Sequence, residues 1–403
     1  MRPYNLLRFL LFFGLIALML YQLRVALIAQ TAYSNIAVNK TIKEYQSEPR
    51  LLVEYSKENI LQGDHENARK WLKKALQANP VYIPAWLTLA ELENDSGNTA
   101  RSLEILEYLD RLMEGVLRWR WEKAMLAYLL GREDIFKADL SWLLQQENLS
   151  RPTQKKVLDF AFSLWPEPVE LLQEMGKKNS VPLFLHALRI KNRETAEFLW
   201  AEVDHTQLEK RQILTYINLL INNQKINEAA LLWKEYYPAD NLLYNGSFSI
   251  PPVKGGFGWR IWPPEGVEVE VQKQDVAKMA LHIHFNGEQN IHFHQTRQTI
   301  SLPSGQNFIL KGEMRSKGLT TDQRPFIEVA GRDCSLQSAT TEMAEPDQDW
   351  TPFSLNFTLP EDCHQGVEVR VRRLPSKKID SLISGDLWVT NLSLQNAPSP
   401  TLQ

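Results

Sequence analysis

The chain has 403 residues, 44% hydrophobic and 23% charged, enough for about two to three domains with full cores. Its 45 basic and 48 acidic residues give a formal net charge of -3, which makes no case for nucleic acid as the main partner, since that would need a concentrated basic surface. Two cysteines, Cys334 and Cys363, cannot make a zinc site alone. They fit either one disulfide in an oxidising compartment or two separate buried thiols, and a turn-rich segment between them favours the disulfide.

In chain order, the first element is apolar. Phe9 to Tyr21 carries no charge, and the wider run from Leu6 to Ala29 is interrupted only by Arg8, Gln22 and Arg24. A membrane helix needs about 20 residues, and arginines near its ends can snorkel. Arg2 and Arg8 ahead of the run predict a cytoplasmic N-terminus, although Arg24 weakens the bias. Residues 1–30 therefore read as a single-pass anchor in the lipid bilayer. The rival is a cleaved signal peptide, since the apolar core is short, but no clean small-x-small site follows it. Both readings export the rest of the chain: in a bacterium, from the inner membrane into the periplasm.

Residues 31–240 read as helical. Gly63, Gly97 and Gly131 recur at 34 residues, each at the end of a predicted first helix of a pair. Ala68, Ala75 and Pro80 supply the small, small and terminating positions of a second helix, and Trp86, Leu89 and Ala90 share one face before Gly97. Paired helices joined by a tight turn cannot bury their apolar faces alone, so successive pairs stack. Later units are looser, with Asn192 and Ala196, then Asn223, Ala229, Ala230 and Pro238. This pattern resembles the tetratricopeptide repeat family, strongly over 50–115 and loosely after 131. The resemblance implies an α-solenoid whose concave surface binds a protein partner, here one of the cell envelope.

Period-2 segments take over from residue 241. They start at Val267, Met279, Ile291, Asn307, Phe326, Phe353, Gly366 and Asp386, separated by Gly, Pro, Asn and Asp turns. Eight or more such strands predict an antiparallel β-sandwich over 241–403. The fold class is thus multidomain α plus all-β. The opening NLLYNGSF, a glycine-rich stretch with Trp259, and the closing GDLWVTNLSL resemble the galactose-binding-like jelly rolls, including carbohydrate-binding modules. That resemblance implies glycan stacking on Phe257, Trp259 and Trp262, with Trp259 also reading as a core residue and Trp388 as core. In the family the opening Asn-Gly and a closing acid often hold structural calcium. Thr390-Asn391 stands where the acid is usual, which puts calcium in doubt.

Two His-x-His pairs, His282/His284 and His292/His294, flank a predicted hairpin connection, NGEQN. On adjacent strands they would bring four imidazoles together, a donor set for zinc or copper; the alternative is a polar sheet face or carbohydrate groove. No hydrolase, phosphate-loop, dinucleotide or metalloprotease motif is present, so no catalytic residue and no cofactor is expected. The expected function is a membrane-anchored periplasmic scaffold of envelope or exopolysaccharide assembly, with repeats binding protein and the sandwich binding glycan or protein. The alternatives are a purely structural subunit of a membrane complex and a glycan-active enzyme.

Overall fold

The computed structural model describes residues 48–239, 241–275 and 278–397. The expected anchor at 1–30 lies outside them, and among the described residues no helix is long and apolar enough to cross a membrane. A helical region is followed by two antiparallel sheets. By compactness the chain divides between Leu183 and Phe184.

The first unit holds α1 (Pro49–Leu61), α2 (His65–Ala78), α3 (Ile83–Asp95), α4 (Thr99–Leu112), α5 (Arg120–Leu129), α6 (Glu133–Leu144), α7 (Arg151–Leu164) and α8 (Pro168–Met175). Gly63, Gly97 and Gly131 close the turns α1–α2, α3–α4 and α5–α6 at φ of +78°, +84° and +70°, where an L side chain would be strained. Asp64 then caps α2, accepting from the Asn67 N–H at 3.1 Å. Ala68, Ala75 and Ala90 are fully buried, and the Ser102 hydroxyl donates to the Ala90 carbonyl at 2.8 Å, so the helices approach closely. First helices also touch each other, α1 with α3 and α3 with α5, as stacked pairs require.

A buried ion cluster holds α5 to α6. The Arg120 guanidinium donates to Asp139 at 2.8 Å and lies 4.2 Å from the Trp142 ring. The fully buried Lys123 ammonium reaches the other Asp139 oxygen at 3.0 Å and also pairs with Asp110. Burial raises the Asp139 carboxyl above its ordinary range, and the two cations only partly offset that.

The second unit contains α9 (Ser180–Ile190, which crosses the division), α10 (Arg193–Trp200), α11 (Lys210–Asn222), α12 (Ile226–Tyr236) and all of the β structure. Its helical turns lack glycine: Lys191 and Gln224 take the left-handed conformation at φ of 59° and 62°. This accounts for the weaker repeat signal after 131. Trp233 of α12 packs edge-on to Tyr244 at 5.0 Å and to Phe257 at 5.9 Å, and the Gly256 N–H donates to the Asn218 side chain at 2.8 Å.

The strands are β1 (Arg260–Ile261), β2 (Val267–Asp275), β3 (Lys278–Asn286), β4 (Phe293–Ile300), β5 (Asn307–Lys317), β6 (Phe326–Gly331), β7 (Ala339–Thr340), β8 (Gln348–Thr358), β9 (Val367–Arg373) and β10 (Ser384–Asn396). All eight expected segments carry strands; the two-residue β1 and β7 are additions too short to show a period. One sheet has the order β1-β4-β9-β6-β7 and the other β2-β3-β10-β5-β8. Leu281, Ile283, Phe285, Leu387 and Val389 of the second sheet share one buried core with Phe293, Val329, Val367, Val369 and Val371 of the first.

Cys334 and Cys363 form a disulfide with a Cα–Cα distance of 4.9 Å. It ties the segment after β6 to the one before β9. Beside it the Asp362 carboxylate accepts from both the N–H and the hydroxyl of Ser335, each at 2.8 Å.

Two predictions follow the energetics. Asp139→Ala leaves the buried Arg120 without an ion-pair partner and Lys123 with Asp110 alone, and should cost about 3–5 kcal/mol in chemical denaturation, whereas Asp110→Ala, at a half-exposed carboxylate, should cost about 1 kcal/mol or less. The Cys334→Ser/Cys363→Ser double variant, with a sequence separation of 29 no longer closed, should lose about 3–4 kcal/mol through the freed unfolded chain.

Candidate functional site

Strand alternation gives each sheet an outer face, and the two faces differ in charge. On the first sheet, β9 turns Val367, Val369 and Val371 into the core and Glu368, Arg370 and Arg372 outward. Register sets Arg297 of β4 opposite Arg370, Arg260 of β1 opposite Arg297, and Glu328 of β6 opposite Arg370. Just beyond β1, Trp262 is 47% exposed, and the Arg297 guanidinium stands 5.4 Å from its ring.

Glu328 is buried on this face and accepts from Arg370 Nε and from Arg372 at 2.8 Å. Burial pushes its carboxyl up, but the two guanidinium hydrogen bonds outweigh that and hold it below the ordinary carboxylate range. Glu368 lies 3.1 Å from Arg297 and 3.7 Å from Arg370. Five arginines (Arg260, Arg297, Arg332, Arg370, Arg372) thus face two carboxylates in a chain whose overall charge is negative.

Of the expected stacking residues, only Trp262 is free to stack. Trp259 is 1% exposed, packs on Phe248 at 5.3 Å and donates its indole N–H to the Asn245 carbonyl; it is a core residue. Phe257 is 5% exposed and lies against α12, beside a cavity of about 540 Å³ that Trp233, Tyr237 and Tyr244 also line. Trp388 corrects the expectation of a core residue. Because Leu387 and Val389 point inward, Trp388 points out, partly buried, stacked on His282 at 4.8 Å and 11°. The apolar run Leu-Trp-Val hid that parity.

The histidines require a second correction: β3 and β4 do not pair, so the hairpin expected at NGEQN is a crossing between sheets. Each strand therefore aims its His-x-His pair at its own sheet's outer side, and the four imidazoles do not converge. His282 and His284 both donate to one Asp386 oxygen, at 2.7 and 2.8 Å. Burial raises the Asp386 carboxyl, and these two bonds more than reverse it. Sequence spacing could not show Asp386, which lies more than 100 positions away and enters through the β3–β10 register. His292 is exposed and its ring lies 4.8 Å from that of His294. His294 is held below its ordinary value by burial, then by His292 and the charges of Arg370, Arg297 and Arg372.

Among the described residues, the one group of three potential metal ligands within reach of one another is Cys334, Asp362 and Cys363, whose sulfurs are bonded to each other. At the position where the jelly-roll family often holds calcium, Thr390 donates to the Met279 carbonyl at 2.6 Å and Asn391 to Glu313 at 2.8 Å. Both side chains are committed within the sheet.

No family model matches the chain, and no curated protein matches it. Solved structures similar to parts of it include a family 4 carbohydrate-binding module (15% identity, 38% of this chain and 99% of that one, TM-score 0.29). A second family 16 carbohydrate-binding module aligns at 18% identity, 38% of this chain and 99% of that one, TM-score 0.27. PilF of Pseudomonas aeruginosa aligns at 14% identity over 48% of this chain and 93% of its own length, TM-score 0.27. These are distant likenesses, and the functional reading rests on the geometry above.

Glu328→Gln should lower the unfolding midpoint most near neutral pH. Its depressed carboxyl contributes stability that is full above the unfolded value, roughly pH 4.3, and is lost as pH falls through the folded one. The gap between wild type and variant in a pH series of thermal melts should therefore close in acid.

Proposed function

We propose that the sandwich is a glycan-recognition module presented by an exported, membrane-anchored helical scaffold. The observation that carries this reading is Trp262: a half-exposed indole at the margin of a sheet face lined by planar, fork-shaped hydrogen-bond donors and two carboxylates. Apolar sugar faces pack on aromatic rings, and hydroxyls are met by charged side chains whose positions are already held by neighbours. Arg370 and Arg372 are so held, through Glu328.

The helix pairs of the first unit supply the protein-binding part of the proposal. A groove lined by Tyr82, Leu87 and Glu91 of the α3 region and by Arg118, Trp119 and Glu122 at the start of α5 mixes apolar and charged groups, as a peptide-binding surface does. Export to the bacterial periplasm and anchoring in the inner membrane rest on the apolar run at 1–30. A role in envelope or exopolysaccharide assembly follows from combining these parts. The reading is non-enzymatic: the acidic residues Glu328 and Glu368 are engaged by arginines rather than poised for proton transfer.

Calorimetry of the full chain against a panel of bacterial polysaccharides, with a chelator control, tests the reading. Saturable binding should weaken at least about tenfold in Trp262→Ala, consistent with the loss of a stacked aromatic contact. Retention of full affinity in that variant would remove Trp262 from the site. Absence of binding across the panel by folded protein would favour the protein-only structural subunit.

A further inference from the structure

The arginine row on the first sheet is compensated at one end only. Like charges directly opposite one another weaken a β ladder, yet Arg260, Arg297 and Arg370 occupy successive opposed positions on β1, β4 and β9. Glu328 relieves the far end and Glu368 the middle. At the near end Arg260 has no ion-pair partner among the described residues, and neither has Arg332, which follows β6 on the other side of β9. One Arg332 terminal nitrogen and the Arg297 Nε are buried without a hydrogen-bond partner among those residues. Burial, then the Arg297 and Arg332 charges, pull the Arg260 guanidinium below its ordinary value, and Glu368 offsets this only in part. An uncompensated row of this kind costs folding free energy unless an anion completes it.

We propose that the open end of the row, formed by Arg260 and Arg297, is an oxyanion subsite that takes the carboxylate of an acidic sugar resting on Trp262. The proposal deepens the glycan reading and rests on it. Guanidinium groups meet a carboxylate with paired donors in a fixed plane, which a neutral hydroxymethyl group cannot reproduce. The indole beside the row favours a sugar acid over a bare inorganic anion, because it supplies an apolar surface that phosphate or sulfate would leave unused.

The test is calorimetry of the full chain with three probes at equal ionic strength: an oligouronate, the same oligosaccharide with its carboxyls reduced to primary alcohols, and inorganic sulfate. The oligouronate should bind at least roughly tenfold more tightly than its reduced form, with an advantage that shrinks as sodium chloride is added. Arg260→Gln should erase the advantage, weakening the oligouronate at least roughly tenfold and the reduced sugar far less. Trp262→Ala should weaken both sugars alike. Thermal melts of Arg260→Gln guard against misfolding and should show no loss, since the substitution removes a like-charge contact. Equal affinity for the two sugars, or an advantage that survives Arg260→Gln, overturns the carboxylate subsite and leaves the glycan reading standing. Binding of neither sugar overturns the glycan reading itself, and sulfate binding without sugar binding does the same.

Discussion

Strand β9 can bury Val367, Val369 and Val371 only by turning Glu368, Arg370 and Arg372 to the opposite face. It is the central strand of its sheet, paired with β4 on one side and β6 on the other. Its register therefore decides which residues of both neighbours share that face. A slip of one residue would carry three charges into the core and three valines out. The core and the arginine-lined outer face are two consequences of the same two-residue period, and neither can change without the other.

Buried charge is handled in three ways in this chain. Asp139 is placed between Arg120 and Lys123, so removing it leaves the buried Arg120 without an ion-pair partner and Lys123 with Asp110 alone. Arg373, fully buried at the end of β9, has no carboxylate in hydrogen-bond contact among the described residues; it donates to the carbonyls of Ile291, Gln323 and Ser381 and to the Asn290 side chain. Burial draws that guanidinium down, with a small opposing pull from Asp322. What the charge gains is position, since one side chain joins three loops around the end of β9. The third way is the Arg260 end of the row, where charge is gathered and left open. Against two clusters that satisfy their donors, the open one stands out as the place where a ligand's charge would complete the structure.

Much of the fold was legible because it depends on local periods. The 34-residue glycine spacing found the left-handed turns of the first three pairs, and it faded where Lys191 and Gln224 took over that conformation. The strands were visible from alternation, and the disulfide from two cysteines in one sandwich. What sequence could not supply was pairing order. The histidine pairs looked adjacent because β3 and β4 are consecutive, yet the chain crosses between sheets there. Trp388 has apolar neighbours on both sides, which leaves no contrast from which to read its parity. Arg260 gave no signal at all: it lies on a two-residue strand, and only the β1–β4 register brings it beside Arg297.

The same reasoning separates the two outer faces. On the second sheet, polar groups are spent on one another: His282 and His284 on Asp386, Lys278 and Asn391 on Glu313, and the Trp388 indole N–H on Gln272 at 3.3 Å. A ligand there would have to break existing bonds before making its own, so its net gain would be small. On the first sheet the carboxylates serve a different end, fixing Arg370 and Arg372 while leaving Arg260 and Arg332 uncommitted. Recognition is strongest where the donors are held by neighbours and their remaining hydrogen-bonding capacity is unspent, and within the sandwich that condition is met beside Trp262.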